Sequence, residues 1–195
     1  MQQTLIFATN NKHKIEEIEP IIGNQFHLIT LAQAGIDIDI PEPYETIEEN
    51  ASEKSKVIHH LTQQNVFSED TGLCVEALLG EPGVKSARYA GEQKTATDNI
   101  NLLLKNLENI SNRNAHFKTV ISLILDKKEY LFNGICDGKI ITQPTGKSGF
   151  GYDPVFVPDG STKTFAEMST TEKNLFSHRK KATDKLLDFL KNYSN

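Results

Sequence analysis

The segment Ser68-Glu69-Asp70-Thr71-Gly72 sets two neighbouring carboxylates where an apolar run meets a glycine. Paired acids can hold a divalent cation through hard oxygen donors, and one of them can take a proton from water. They stand where a strand is expected to end, and open α/β sheets place ligands at the carboxyl ends of strands. Side chains alternate faces along a strand, so an extended chain would turn only one acid towards a given pocket. A bend before Gly72 would let both approach one ion. The competing reading is a turn whose acids are simply solvated. Glu42, between Pro41 and Pro43, is a third carboxylate that could reach the same ion.

Three other segments carry chemical potential. In Thr9-Asn10-Asn11-Lys12-His13-Lys14, a polar turn precedes helical spacing. Free backbone N–H groups at the positive end of a helix suit a phosphate. Thr9 and Asn11 add side-chain donors and Lys14 adds charge, although alone the segment reads as a helix cap with solvated lysines. In Ser148–Phe156, Gly149 and Gly151 bracket Phe150 and allow close backbone approach. Asp153 precedes Pro154 and is expected to be extended. Phe150 or Tyr152 could then stack on a flat base, which is worth about 1–3 kcal/mol per base in nucleic-acid systems. Lys173, His178 and Arg179 do not share one helical stripe, so a break near His178 or convergence from different angles is expected. Alone, they read as a basic helix face.

The elements that position these groups follow from periodicity. "TLIFAT" and "FHLIT" read as strands, with "KHKIEEIEPII" a helix between them. Pro41 and Pro43 keep the next stretch irregular. Thr46 and Glu49 have capping-box spacing and open a helix running to about Gln63. "NVFSEDTG" reads as a strand ending in a charged turn, followed by a short strand and a loop at Pro82-Gly83. "TATDNINLLLKNLEN" is an amphipathic helix. Residues 115–144 alternate and read as two or three antiparallel strands, with turns at Asp126–Lys128 and Asp137-Gly138. Ser169 and Glu172 form a second capping box, and the closing helix is read as one long amphipathic element.

The 195 residues, 37% hydrophobic, suffice for one domain with a real core. A net charge of −5 argues against non-specific nucleic-acid binding, but a local basic cluster can still take an anionic small molecule. Cys74 and Cys136 form no disulfide framework and read as buried filler in a reducing compartment. The start has no positively charged leader, and the longest apolar run is far too short to span a membrane. These features give the expectation of a soluble cytoplasmic protein without nucleic-acid or membrane partners.

In their order along the chain these segments resemble the inosine triphosphate pyrophosphatase family, enzymes that hydrolyse non-standard purine nucleoside triphosphates. The matching stretches are "TNNKHK", "ENASEKS", "SEDTGL", "GEPGVKSARYAG", "GFGYDPVF", "TFAEMS" and "EKNLFSHR", and they cover nearly the whole chain. The resemblance implies one domain over residues 1–195, a mixed α/β fold with a central mixed sheet flanked by helices, and a nucleotide cleft between two lobes. It implies cleavage between the α and β phosphates of ITP, dITP or XTP, with Mg²⁺ required.

The family pattern assigns the triphosphate to Thr9, Asn11, Lys14 and Lys54, with Thr71 beside them. It assigns the base to Phe150, Gly151, Tyr152 and Asp153, completed by Lys173, His178 and Arg179. The metal falls to Glu42, Glu69 and Asp70, with Asp70 as the base that activates water. Many family members carry Asp-Asp-Ser-Gly where this chain has Glu69-Asp70-Thr71-Gly72, so the motif leaves both acids as candidates for the main metal ligand and for activating water. A homodimer is also implied. The competing functions are a pyrophosphatase for other modified nucleotides on a related fold and a nucleotide-binding protein without turnover.

Overall fold

The computed structural model describes residues 4–22, 26–92 and 95–193. The fold is mixed α/β, a sheet flanked by helices. The strands are β1 (Thr4–Phe7), β2 (His27–Thr30), β3 (Val66–Val75), β4 (Pro82–Gly83), β5 (Asn114–Leu125), β6 (Lys128–Ile140) and β7 (Phe156–Pro158). The helices are α1 (Lys12–Ile22), α2 (Ile47–Thr62), α3 (Ala96–Asn106), α4 (Thr170–Asn174) and α5 (His178–Tyr193). The hydrogen-bonded strand order is β2-β1-β3-β5-β6-β7, with β4 paired to β3. β1 runs parallel to β2 and β3, and β7 is antiparallel to β6, so the sheet is mixed.

The chain forms two compact units. The first takes in the described residues up to Asp70, Thr119–Gly134 and the segment from Arg179 onward; the second comprises Thr71–Lys118 and Ile135–His178. β3, β5 and β6 each contribute residues to both.

In the first unit, period-two alternation along β3 decides what each residue meets. Phe67 stacks on Phe7, with ring centroids 4.4 Å apart, in a cluster with Ile18 and Ile22 of α1 and Ala182, Leu186 and Leu190 of α5. Val66 lies in a separate cluster with Leu31 and with Ile58 of α2. Each fully buried side chain of this size contributes about 1.5–3 kcal/mol, so the two faces of the strand are held independently. α2 begins as expected: the Thr46 hydroxyl accepts the Glu49 N–H at 3.2 Å.

In the second unit, α3 is capped by Thr95, whose hydroxyl accepts the Asp98 N–H at 3.2 Å. Its Leu103 and Ile100 pack with Leu73, Val75, Phe117 and Phe156. α4 starts with the expected capping box of Ser169 and Glu172.

Three sequence expectations are corrected. Glu69 and Asp70 do not lie in a turn after a strand; β3 continues to Val75, because Leu73 and Val75 have a core to fill. Asp137-Gly138 is not a turn either. β6 runs through it, and Gly138 is required by close approach of β7: a Cβ there would lie 2.3 Å from the Val157 carbonyl oxygen. The closing helix is two helices, broken at Leu175–Ser177, where the Phe176 and Ser177 N–H groups both bond to the Lys173 carbonyl. The expected break near His178 is therefore present. The expected turn after β5 is also present, with Asp126 and Lys127 both at positive φ (49° and 65°).

Candidate active site

The first unit gathers the charged residues. Asn11 caps α1, its Oδ1 accepting the His13 N–H at 3.0 Å and the Lys14 N–H at 3.4 Å. The Thr9 hydroxyl in turn accepts the Asn11 N–H at 3.2 Å, so both side chains shape the entry to the helix. From the first turn, the Lys14 ammonium donates to the Glu69 carbonyl at 3.1 Å and lies 3.5 Å from the Glu69 carboxylate. Loss of water holds the Lys14 pKa below the usual lysine value, against the opposing pull of Glu69.

Lys54, on the buried face of α2, collects two carboxylates. Its Nζ lies 2.7 Å from Asp70 Oδ1 and also pairs with Glu42. Burial alone would lower Lys54, but the attraction of Asp70 and Glu42 outweighs it and the pKa is raised. Asp70 is raised as well: it loses its water, and the Lys54 cation only partly compensates. The lysine gains two anions, one of which it must share with a site that disfavours ionisation.

Glu69 faces the other way. Arg179 donates Nε to Glu69 Oε2 and Nη2 to Glu69 Oε1, both at 3.2 Å, and its Nη1 pairs with Glu17 of α1. Thr119 of β5 adds a long 3.5 Å bond to Glu69 Oε1. Burial would lower the Arg179 pKa, yet the two carboxylates raise it. β3 thus turns Glu69 to the Phe67 face and Asp70 to the Val66 and Ser68 face, where the Ser68 hydroxyl donates to the Ala51 carbonyl of α2. Among the described residues no three His, Cys, Asp or Glu side chains come together as a metal cluster. Glu42 and Asp70 meet on Lys54, while Glu69 is shared by Arg179 and Lys14. Glu17 and Thr119 were not singled out from the sequence; Glu17 had one signal, its place one helical turn beyond Lys14.

The second unit gathers the glycine-bracketed aromatics. Asp153 Oδ2 accepts the Phe150 N–H at 3.0 Å and the Lys173 ammonium at 2.7 Å. The same ammonium lies 5.3 Å from the centroid of the Phe150 ring, which is half-buried. Gly149 has φ +78°, and a Cβ there would sit 2.1 Å from Asp153 Oδ2, so only glycine permits this arrangement. Gly151 also has positive φ, +59°, but open space around it.

Two details differ from expectation. Asp153 is not extended: Asp153–Val155 is a single 3₁₀ turn, closed by the Val155 N–H on the Tyr152 carbonyl at 3.0 Å. Tyr152 is a core residue, packed with Phe156 and Phe165, and its hydroxyl donates to the Ser86 carbonyl at 2.9 Å. Burial pushes its phenol pKa up. Of the two aromatics, Phe150 is the one with an accessible ring. His178 is buried and stacks on Phe117, with centroids 4.6 Å apart and planes 12° from parallel. Thr71 is half-buried on β3.

A family profile matches residues 5–189, and its family is Ham1. The chain belongs to the Ham1 family. Among Ham1 relatives, the dITP/XTP pyrophosphatase of Flavobacterium johnsoniae is 50% identical over 186 residues, 95% of this chain and 97% of that protein. The protein of the same description from Flavobacterium psychrophilum is 48% identical over 188 residues, covering 96% and 99%. The solved Staphylococcus aureus Ham1 protein superposes with a TM-score of 0.90 at 38% identity, covering 98% of this chain and 100% of that one. A HAM1 protein from Coxiella burnetii gives a TM-score of 0.90 at 32% identity, with the same coverage. The resemblance read from the motifs is borne out, as is the mixed α/β fold. No helix among the described residues is long and apolar enough to cross a membrane; Cys74 and Cys136 form no disulfide, and Cys136 is buried as expected whereas Cys74 is only half-buried.

Proposed function

We propose that this Ham1 chain hydrolyses non-standard purine nucleoside triphosphates (ITP, dITP and XTP) between the α and β phosphates, releasing the nucleoside monophosphate and pyrophosphate. The observation that carries the chemistry is the placement of the buried Asp70 carboxylate, 2.7 Å from the Lys54 ammonium that also pairs with Glu42. A carboxylate held in such a cluster is positioned to accept a proton. Asp70 takes the proton of the attacking water.

Glu42 and Asp70 form the kind of donor set Mg²⁺ accepts, one or two carboxylates plus substrate phosphate oxygens. Their convergence on a single ammonium is the observation in favour of that fit. Glu69 does not fit, since its two oxygens are already met by Arg179. When bound, the cation would offset phosphate charge and make the phosphorus more open to attack. Lys14 and Lys54 supply positive charge for the triphosphate, and Thr9 and Asn11 order the turn that presents Lys14. Thr71 follows Asp70 along β3.

Phe150 offers a ring face to the purine, and the backbone N–H groups of Gly151 and Tyr152, with His178, are candidate donors to the carbonyl at position 6, since the Phe150 and Asp153 N–H groups already bond within the loop. Adenine carries an amino group there, so a buried donor would be left unsatisfied at about 1–3 kcal/mol, a cost that builds discrimination. Asp153 and Lys173 hold the loop rather than touching the ring. Arg179 acts through Glu69 and β3. A cytoplasmic homodimer is the accompanying proposal, drawn from the family pattern.

The test is pyrophosphate release from ITP, dITP and XTP beside ATP, GTP and dUTP, with and without Mg²⁺. Mg²⁺-dependent release from the first three, at kcat/KM at least tenfold above the others, is expected. Binding without release would make the chain a nucleotide-binding protein and overturn the proposal. Faster release from dUTP would move it to other modified nucleotides.

A further inference from the structure

Asn50 lies on the buried face of α2 and is fully enclosed. Its Oδ1 accepts the Tyr44 N–H at 3.0 Å and its Nδ2 donates to the Tyr44 carbonyl at 2.9 Å. One side-chain amide thereby pairs both backbone polar groups of one residue, as a neighbouring strand would. Tyr44 stands two residues after Glu42, in a stretch without regular secondary structure, and the intervening Pro43 has no N–H to anchor. Lys54, one turn along the same helix face, holds the Glu42 carboxylate. α2 therefore grips this loop twice, once through an ammonium and once through a neutral amide.

The two grips differ in kind. The ammonium contact is a charge pair that a triphosphate or a cation would compete for. The amide contact carries no charge and stays outside that competition. We infer that Asn50 is a positioning residue, fixing the backbone beside Glu42 so that its carboxylate faces Asp70 whether or not Lys54 bridges them. The inference rests on the proposed reading of Glu42 and Asp70 as the carboxylates that hold Mg²⁺.

Mn²⁺, a paramagnetic probe for such a site, allows binding to be read by electron paramagnetic resonance without turnover. Asn50→Asp keeps the acceptor but replaces the donor with an oxygen facing the Tyr44 carbonyl; Asn50→Ala removes both bonds. Each is expected to weaken Mn²⁺ binding about tenfold or more, the usual range for loss of a group that orients a metal ligand. The Mg²⁺ concentration for half-maximal activity rises in step, and kcat at saturating Mg²⁺ stays within a few-fold. Adding Asn50→Ala to Glu42→Gln produces no further weakening, because both changes act through one carboxylate.

If the Asn50 variants lose thermal stability but bind Mn²⁺ as the parent does, Asn50 is only a structural residue and the inference is overturned. If Glu42→Gln itself leaves Mn²⁺ binding unchanged, the reading of Glu42 fails first and the inference falls with it. Should Asn50→Ala not fold, the near-isosteric Asn50→Asp carries the same measurement.

Discussion

Replacing Gly149 or Gly151 by alanine separates two costs that a glycine-rich loop usually mixes. Both positions have positive φ, +78° and +59°. Placing a Cβ in the left-handed region costs about 1–2 kcal/mol, so Gly151→Ala, with nothing near its new methyl, loses about that much. At Gly149 the methyl would meet Asp153 Oδ2 at 2.1 Å. That carboxylate is the end of a short side chain, but it is pinned by the Phe150 N–H and the Lys173 ammonium. Moving it sacrifices at least one charged hydrogen bond, worth about 1.5–3 kcal/mol. Gly149→Ala should therefore be about 1.5–3 kcal/mol less stable than Gly151→Ala. For a chain of this size that gap corresponds to about 3–12 °C in Tm, measured by circular dichroism. The KM for ITP should also rise more for Gly149→Ala, because Phe150 follows Asp153. Equal losses of Tm in the two variants would refute the idea that Asp153 anchors the loop.

Other perturbations follow from the charged groups. Asp70→Asn should abolish turnover while holding or raising Tm at pH 7; the folded pKa of Asp70 lies above its ordinary value, so stability falls as pH rises through that window, and the neutral amide avoids the loss. A drop in Tm would contradict it. The lowered pKa of Lys14 means its ammonium is lost as pH rises through a value below the ordinary lysine range, so KM for ITP should climb on that alkaline limb, and Lys14→Arg should flatten it. An identical limb in both proteins would exclude Lys14. Arg179→Met removes the cation that meets both oxygens of the fully buried Glu69, leaving only Lys14 at 3.5 Å, and should cost about 3–5 kcal/mol in urea unfolding, with most of it recovered by adding Glu69→Gln. A single-variant loss below 1 kcal/mol would show that the pair contributes little.

Much of the scaffold was legible because its signals are local. Thr46 with Glu49 and Ser169 with Glu172 announce helix starts through hydrogen bonds made within one turn. What was not legible depends on neighbours distant in sequence. Gly138 reads as a turn until Phe156 and Val157 press against it. Tyr152 reads as a base platform until its hydroxyl reaches Ser86, sixty-six positions away. Nothing near Glu69 in the sequence shows that Arg179, 110 positions on, pairs with it. Charges and aromatics at a site are visible in the sequence; the partners that decide which of them face substrate are not.

The separation of Glu69 from Asp70 is a matter of parity, not distance. A single-residue insertion or deletion in β3 ahead of them would exchange their sides, sending the proposed base towards Arg179 and the structural acid towards Lys54. Transplanting this pair into another sheet would thus succeed only in even steps along the strand, and random length changes here should be tolerated far less than substitutions.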